Sequence, residues 1–136
     1  MEFLGQTITK EILPPGKNTT LIEIEEQIQL CAWIKKTYPG LFFMSDMSGL
    51  KLPMPLVVQG KKLRSHDRGT PDLFIASNPG LFIELKVTGH KLTMNKHEQE
   101  QEAVMQRLRE QGYVAFFACG QEEAKKIIVK HLSPKV

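Results

Sequence analysis

The stretch Gly69-Thr70-Pro71-Asp72-Leu73-Phe74-Ile75, the break Asn78-Pro79-Gly80, and the run Leu81-Phe82-Ile83-Glu84-Leu85-Lys86-Val87 together decide the fold. Two apolar, β-prone runs meet across turn residues, which predicts a pair of strands. Side chains alternate across a strand, so Phe82, Glu84 and Lys86 share one face. Leu81, Ile83, Leu85 and Val87 share the other, the face expected to enter the core. Asp72 opens the first strand just behind a proline that cannot donate to a ladder. Pairing of the two runs would bring Asp72 close to Glu84 and Lys86.

Carboxylates held a few ångströms apart repel, and a proton or a cation must relieve the repulsion. Hard oxygen donors suit Mg²⁺ or Mn²⁺, ions that keep waters able to act as nucleophiles. A lysine beside such a water could orient it, help to deprotonate it, or offset charge on a reacting phosphate. The pattern therefore points to metal-assisted phosphodiester hydrolysis. Its bland counterpart is an i, i+2 ion pair on the wet face of an edge strand, and so short a motif does not separate the two.

The bulk properties narrow the context. A chain of 136 residues is one domain's length. Its 41% hydrophobic and 24% charged content is ordinary for a globular protein. A net charge of +3 permits nucleic-acid binding without arguing for it. No apolar run approaches a membrane span and no signal-peptide core is present, so a cytoplasmic protein without a membrane partner is expected. Cys31 and Cys119 lie in apolar segments and read as buried free thiols of a reducing compartment.

Residues 1–19 resist regular assignment because of Pro14-Pro15-Gly16, and read as an arm or short edge strand. Residues 20–136 then form a single domain. Thr20-Leu21-Ile22-Glu23 fits a capping box, and the helix it starts should run to about Lys36. Leu21, Ile24, Ile28, Cys31 and Ala32 are its expected buried stripe. Glu25 and Gln29, one turn apart, flank that stripe.

Leu41-Phe42-Phe43-Met44 predicts a short buried strand. Between Ser45 and Arg68 periodicity fades, which leaves a long loop. Lys61, Lys62, Arg64 and Arg68 close it, and cations leading into a carboxylate site would draw a polyanion toward it. Lys91 adds charge after the second strand.

A helix is predicted from about Asn95 to Gln111, with a seam read from Leu108 through Met105, Val104 and Gln101 to His97. Of these, His97 is expected to touch water at the helix start, and Gln101 to sit at the margin of a site or to do the same. Tyr113 to Cys119 reads as a central strand, and Gln121 to Leu132 as a closing helix with Ala124, Ile127, Ile128 and Leu132 inward. The sum is an α/β sandwich on a mixed sheet. Zinc and nucleotide motifs fail. His97-Glu98 opens like a zincin helix, but Gln101 stands where the second histidine belongs, and no phosphate-cradling glycine loop is present.

Pro71-Asp72 followed by Glu84-Leu85-Lys86 resembles the PD-(D/E)xK nuclease signature. Glu25-Glu26-Gln27-Ile28-Gln29, Gly69-Thr70-Pro71-Asp72-Leu73-Phe74, Gly80 to Lys86, Gln101 and Gly112-Tyr113 together resemble its virus-type replication–repair nuclease branch, VRR-NUC, over roughly residues 20 to 132. The resemblance implies a restriction-endonuclease-like mixed β-sheet flanked by helices. It implies that Asp72, Glu84 and the main-chain carbonyl of Leu85 bind Mg²⁺ or Mn²⁺. Lys86 would position or activate water, Glu25 would serve as an accessory acid reaching the metal directly or through water, and Gln101 would orient substrate or Lys86. Glu25 is preferred to Glu26 because it is spaced four from Gln29.

Small relatives, many from phages, imply a homodimer that cleaves branched DNA in a bacterial or phage-infected cell. Two departures, Ser45-Asp46-Met47-Ser48-Gly49 and a longer Val87–Gln101 linker, fall where substrate would be contacted. The rival expectations are a non-catalytic nucleic-acid-binding module and a sequence-specific restriction-type enzyme.

Overall fold

The computed structural model describes residues 19–45 and 70–134, with side chains of the first helix described from Ile22 onward. The elements are α1 (Thr19–Thr37), β1 (Phe43–Ser45), β2 (Leu73–Ile75), β3 (Leu81–Lys86), α2 (Lys96–Glu110), β4 (Val114–Cys119) and α3 (Gln121–Leu132). The strands form one mixed sheet in the order β1-β2-β3-β4. β2 pairs antiparallel with β1 and β3, and β4 pairs parallel with β3 after the α2 crossover.

Strand alternation divides the sheet as the sequence predicts. Leu73, Ile75, Leu81, Ile83 and Leu85 are buried on one face and join Leu30, Ile34, Ala118, Ala124 and Ile128 in the core between sheet, α1 and α3. Leu73 pairs with Ile83 and Phe74 with Phe82, so Asp72 lies beyond the paired end of β2 alongside the last residues of β3. Phe74, Phe82 and Tyr113 cluster on the opposite face, with ring centroids of Phe74 and Phe82 4.7 Å apart. A Cβ at Gly80 would come within 2.9 Å of Phe74 and 3.0 Å of Tyr113, which explains the glycine that opens β3.

The turn between β2 and β3 is tied to α3. Ser77 Oγ donates to the Pro79 carbonyl at 2.9 Å, and His131 Nε2 stands 2.8 Å from the same oxygen. A carbonyl only accepts, so His131 Nε2 carries the proton, and this Ser–His pair anchors a turn instead of activating a nucleophile.

Four packing expectations are corrected. Ile28 is 62% exposed and Ala32 is exposed, whereas Leu30 and Ile34 are buried, so α1 is rotated relative to the predicted stripe. Apolar residues lie on several sides of this helix, and contact with the sheet and α3 selects among them. Among the described residues β1 is an edge strand, with Phe42 and Met44 exposed. β4 is also at an edge among the described residues, and β2 and β3 occupy the middle. Cys31 and Cys119 are free, as expected, but half-buried.

Candidate active site

The end of β3 carries the site. Period-two alternation sets Glu84 and Lys86 on the face away from the main core, and the Leu73–Ile83 register brings Asp72 beside them. Asp72 Oδ2 accepts the Leu85 N–H at 3.0 Å. The β3 carbonyls of Gly80 and Lys86 accept from Val114 and Gly120 on the β4 side. Alternation along the strand therefore turns the Leu85 peptide groups the other way, toward Asp72, where its carbonyl is available as a further oxygen donor.

α2 crosses this face and supplies Gln101, which is buried. Its Oε1 accepts from Lys86 Nζ at 2.8 Å, while its Nε2 donates to Glu84 Oε2 at 3.0 Å. Lys86 has no acceptor capacity, so the amide oxygen must face it and the amide nitrogen must face the carboxylate. Lys86 Nζ also lies 3.9 Å from Glu84 Oε2 and 5.9 Å from the Phe117 ring centroid. Gln101 thus spaces the ammonium from the carboxylate and holds both.

Glu84 is 5% exposed, and its Oε1 is buried without a hydrogen-bond partner. Burial, then the neighbouring Asp72 charge, raises its pKa strongly, against the pull of Lys86. Burial also raises Asp72, although its interactions with Glu84 and the Leu85 N–H hold it back. The pair cannot carry two charges cheaply without a counter-ion, and it retains a proton when alone. A divalent cation meets this demand: two carboxylates, one carbonyl and waters are the donor set Mg²⁺ accepts. Among the described residues no group of three or more His, Cys, Asp and Glu side chains forms an all-side-chain metal cage.

Of the acids on α1, Glu23 is the one whose charge acts on this site. Glu23 acts electrostatically on both Asp72 and Glu84, and Lys86 and His90 act on it. The residue as a whole is exposed, yet its carboxyl faces enough protein that burial, the largest influence, raises its pKa. Successive helical residues turn by about 100°, so Glu23 follows the buried Leu30–Ile34 row and Glu25 points some 200° away from Glu23.

Glu26, 8% exposed, has a different place: its Oε2 accepts the Thr88 N–H at 2.7 Å, and its Oε1 accepts Thr88 Oγ at 2.7 Å and the Gln121 N–H at 3.0 Å. It thereby caps α3, whose N-cap Gly120 has no side chain to offer. Gly120 adopts φ 101°, and a Cβ there would meet Thr88 Cα at 3.0 Å.

His97 is exposed but its Nε2 sits 3.2 Å from Gln101 Nε2, so it touches the site margin. Glu98, 1% exposed, begins the buried row of α2 in its stead. Asn95-x-x-Glu98 spells a capping box, the signal that could have found it. Lys91 is exposed on the β3–α2 connection. Lys61, Lys62, Arg64 and Arg68 lie outside the described residues, as does residue 1–18 of the predicted arm. No described helix is long and apolar enough to cross a membrane.

No protein-family model and no curated protein matches the chain. Among solved structures, a VRR_NUC domain protein is similar, with a TM-score of 0.57 and 22% sequence identity, over 82% of this chain and 88% of that one. The chain thus has a VRR-NUC-like fold, an α/β restriction-endonuclease-like architecture.

Proposed function

We propose that the protein is a divalent-metal-dependent DNA endonuclease. The observation that carries this reading is the buried Glu84, with one orphaned carboxylate oxygen, next to the half-buried Asp72 and a lysine held by Gln101. Asp72, Glu84 and the Leu85 carbonyl would hold Mg²⁺ or Mn²⁺, with Glu23 reaching it directly or through water. The bound cation supplies Lewis acidity, polarising a phosphate oxygen and acidifying water.

The chain's own groups do the rest. Lys86 directs its ammonium toward the reacting phosphate, where it offsets developing negative charge and orients the attacking water. Gln101 keeps Lys86 from collapsing onto Glu84. Cleavage leaves 5′-phosphate and 3′-hydroxyl ends, and the substrate is branched duplex DNA cut by a homodimer, as in small proteins of the VRR-NUC type.

Single Asp72→Asn and Lys86→Met variants, assayed with Mg²⁺ and Mn²⁺ on junction, flap and linear duplex, test this. Each should lose at least about 10³-fold in cleavage while still folding. Undiminished cleavage by folded Asp72→Asn would refute the reading. Salt-sensitive DNA binding by the wild type with no cleavage under either metal would leave a binding module instead.

A further inference from the structure

Nine residues, 87–95, connect β3 to α2. A polar connection with no strand or helix is ordinarily the mobile part of a domain. Here buried acids fasten it at three places. Glu26 holds Thr88 through the bonds described above. Glu98 Oε1 accepts the N–H groups of Thr93 at 3.0 Å and Met94 at 2.8 Å. Glu98 Oε2 lies 2.6 Å from His90 Nε2.

Those hydrogen bonds, the one with His90 foremost, hold Glu98 down to about 2, so it is ionised. An ionised carboxylate only accepts, which places a proton on His90 Nε2. The ring's other nitrogen, Nδ1, is left for another partner, and the His90 side chain is 32% exposed.

A capping box needs Asn95 and Glu98 alone, and Glu98 Oε1 already takes the neighbouring backbone donors. The histidine bonds the second oxygen, Oε2, which takes no backbone donor of the helix end. A buried carboxylate that fixes one imidazole nitrogen ordinarily orients the other toward something that binds. His90 also lies within charge range of Glu23, whose own charge acts on Asp72 and Glu84. Exposed Lys91 and Lys96 flank it with positive charge.

We propose that His90, oriented by Glu98, donates from Nδ1 to a phosphate oxygen of DNA bound at the Asp72–Glu84 site. This rests on the nuclease reading. In the contact the ring is an imidazolium: Nε2–H donates to Glu98 and Nδ1–H to the phosphate, a directed, charge-assisted bond. The flanking lysines attract the backbone, and His90 fixes where one of its phosphates rests.

His90→Gln separates this role from loop fastening, because its amide N–H can replace Nε2–H against Glu98 while nothing replaces Nδ1. The variant should melt close to wild type. Its KM for junction DNA should rise about tenfold with kcat little changed, and the slope of log affinity against log salt should shrink by about one. His90→Ala should show the same KM change and a lower Tm as well.

An unchanged KM and salt slope in His90→Gln, beside an active wild type, would overturn the proposal and leave the histidine a loop fastener. A second measurement uses wild type alone: the ¹⁵N signal of His90 Nδ1 should shift when a phosphorothioate-blocked junction is added, and a static signal overturns the proposal too. If the wild type itself cleaves no branched or linear DNA with either metal, the nuclease reading fails first, and this contact fails with it.

Discussion

Glu26 and Glu84 are both buried glutamates, yet they are opposites. Every oxygen of Glu26 is satisfied, by a backbone N–H and a hydroxyl of Thr88 and by the N-terminus of α3. Glu84 accepts one amide hydrogen bond, keeps a bare Oε1, and shares its surroundings with a second acid. Burial is equally costly for both, so the difference lies in what the fold provides in return. The satisfied acid ties three elements together. The unsatisfied one has an oxygen that no protein group serves, which is the feature the proposed metal site is built on.

The sharpest break of this contrast is stability after neutralisation. Glu26→Leu strips two N–H groups and a hydroxyl of their acceptor and should cost roughly 3–5 kcal/mol in urea unfolding. Glu84→Gln replaces a buried carboxyl, raised well above the usual carboxylate range by burial and by Asp72, with a neutral amide that can still pair with Gln101. In metal-free protein it should leave stability unchanged or raise it by about 1 kcal/mol, while abolishing stabilisation by Mg²⁺. Equal losses from the two substitutions would erase the distinction drawn here.

A smaller effect should appear with pH. Burial raises both Asp72 and Glu84, so the folded, metal-free protein holds a proton that the unfolded chain releases. The stability these two groups contribute should therefore fall as pH rises above about 4, whereas the lowered Glu98 loses its contribution only below that range. Saturating Mg²⁺ should flatten that decline, and so should Glu84→Gln. A melting temperature that climbs with pH in metal-free wild type would contradict the raised pair.

The smallest expected effect separates two acids of one helix. Glu23→Gln should lower cleavage about tenfold, because it removes a charge that acts on the site, whereas Glu25→Gln should change it less than twofold. The reverse ranking in a cleavage assay would return the accessory role to Glu25.

The contrast between these helix acids also shows how far residue spacing can be followed. Asp72, Glu84 and Lys86 were legible because a strand has only two faces, and a turn of Asn, Pro and Gly leaves little choice of pairing. Gln101 was legible because it continues an apolar row one turn after another toward the start of α2. Glu23 was not. Ile22, Ile24, Ile28, Leu30, Cys31, Trp33 and Ile34 lie around much of α1, and several rotations satisfy helical periodicity equally well. The rotation found in the structure lets the charge of Glu23 act on Asp72 and Glu84 and buries Glu26 against Thr88 and Gln121. Glu98 is buried by its local role in the cap, where Asn95-x-x-Glu98 spacing is written in the sequence but the burial of the acid comes from the β3–α2 connection folding over it.

Local alternation and turn chemistry were enough to specify the β2–β3 pair, the chemical identity of its charged residues, and the α/β order of the chain. These follow from interactions among near neighbours, which the order of residues encodes directly. Which side of α1 meets the sheet, which strands stand at its edges, and which glutamate is left with a bare oxygen were settled only by packing between distant segments. Burial of a helix face or a carboxylate depends on what lies across from it, and no spacing along the chain contains that information.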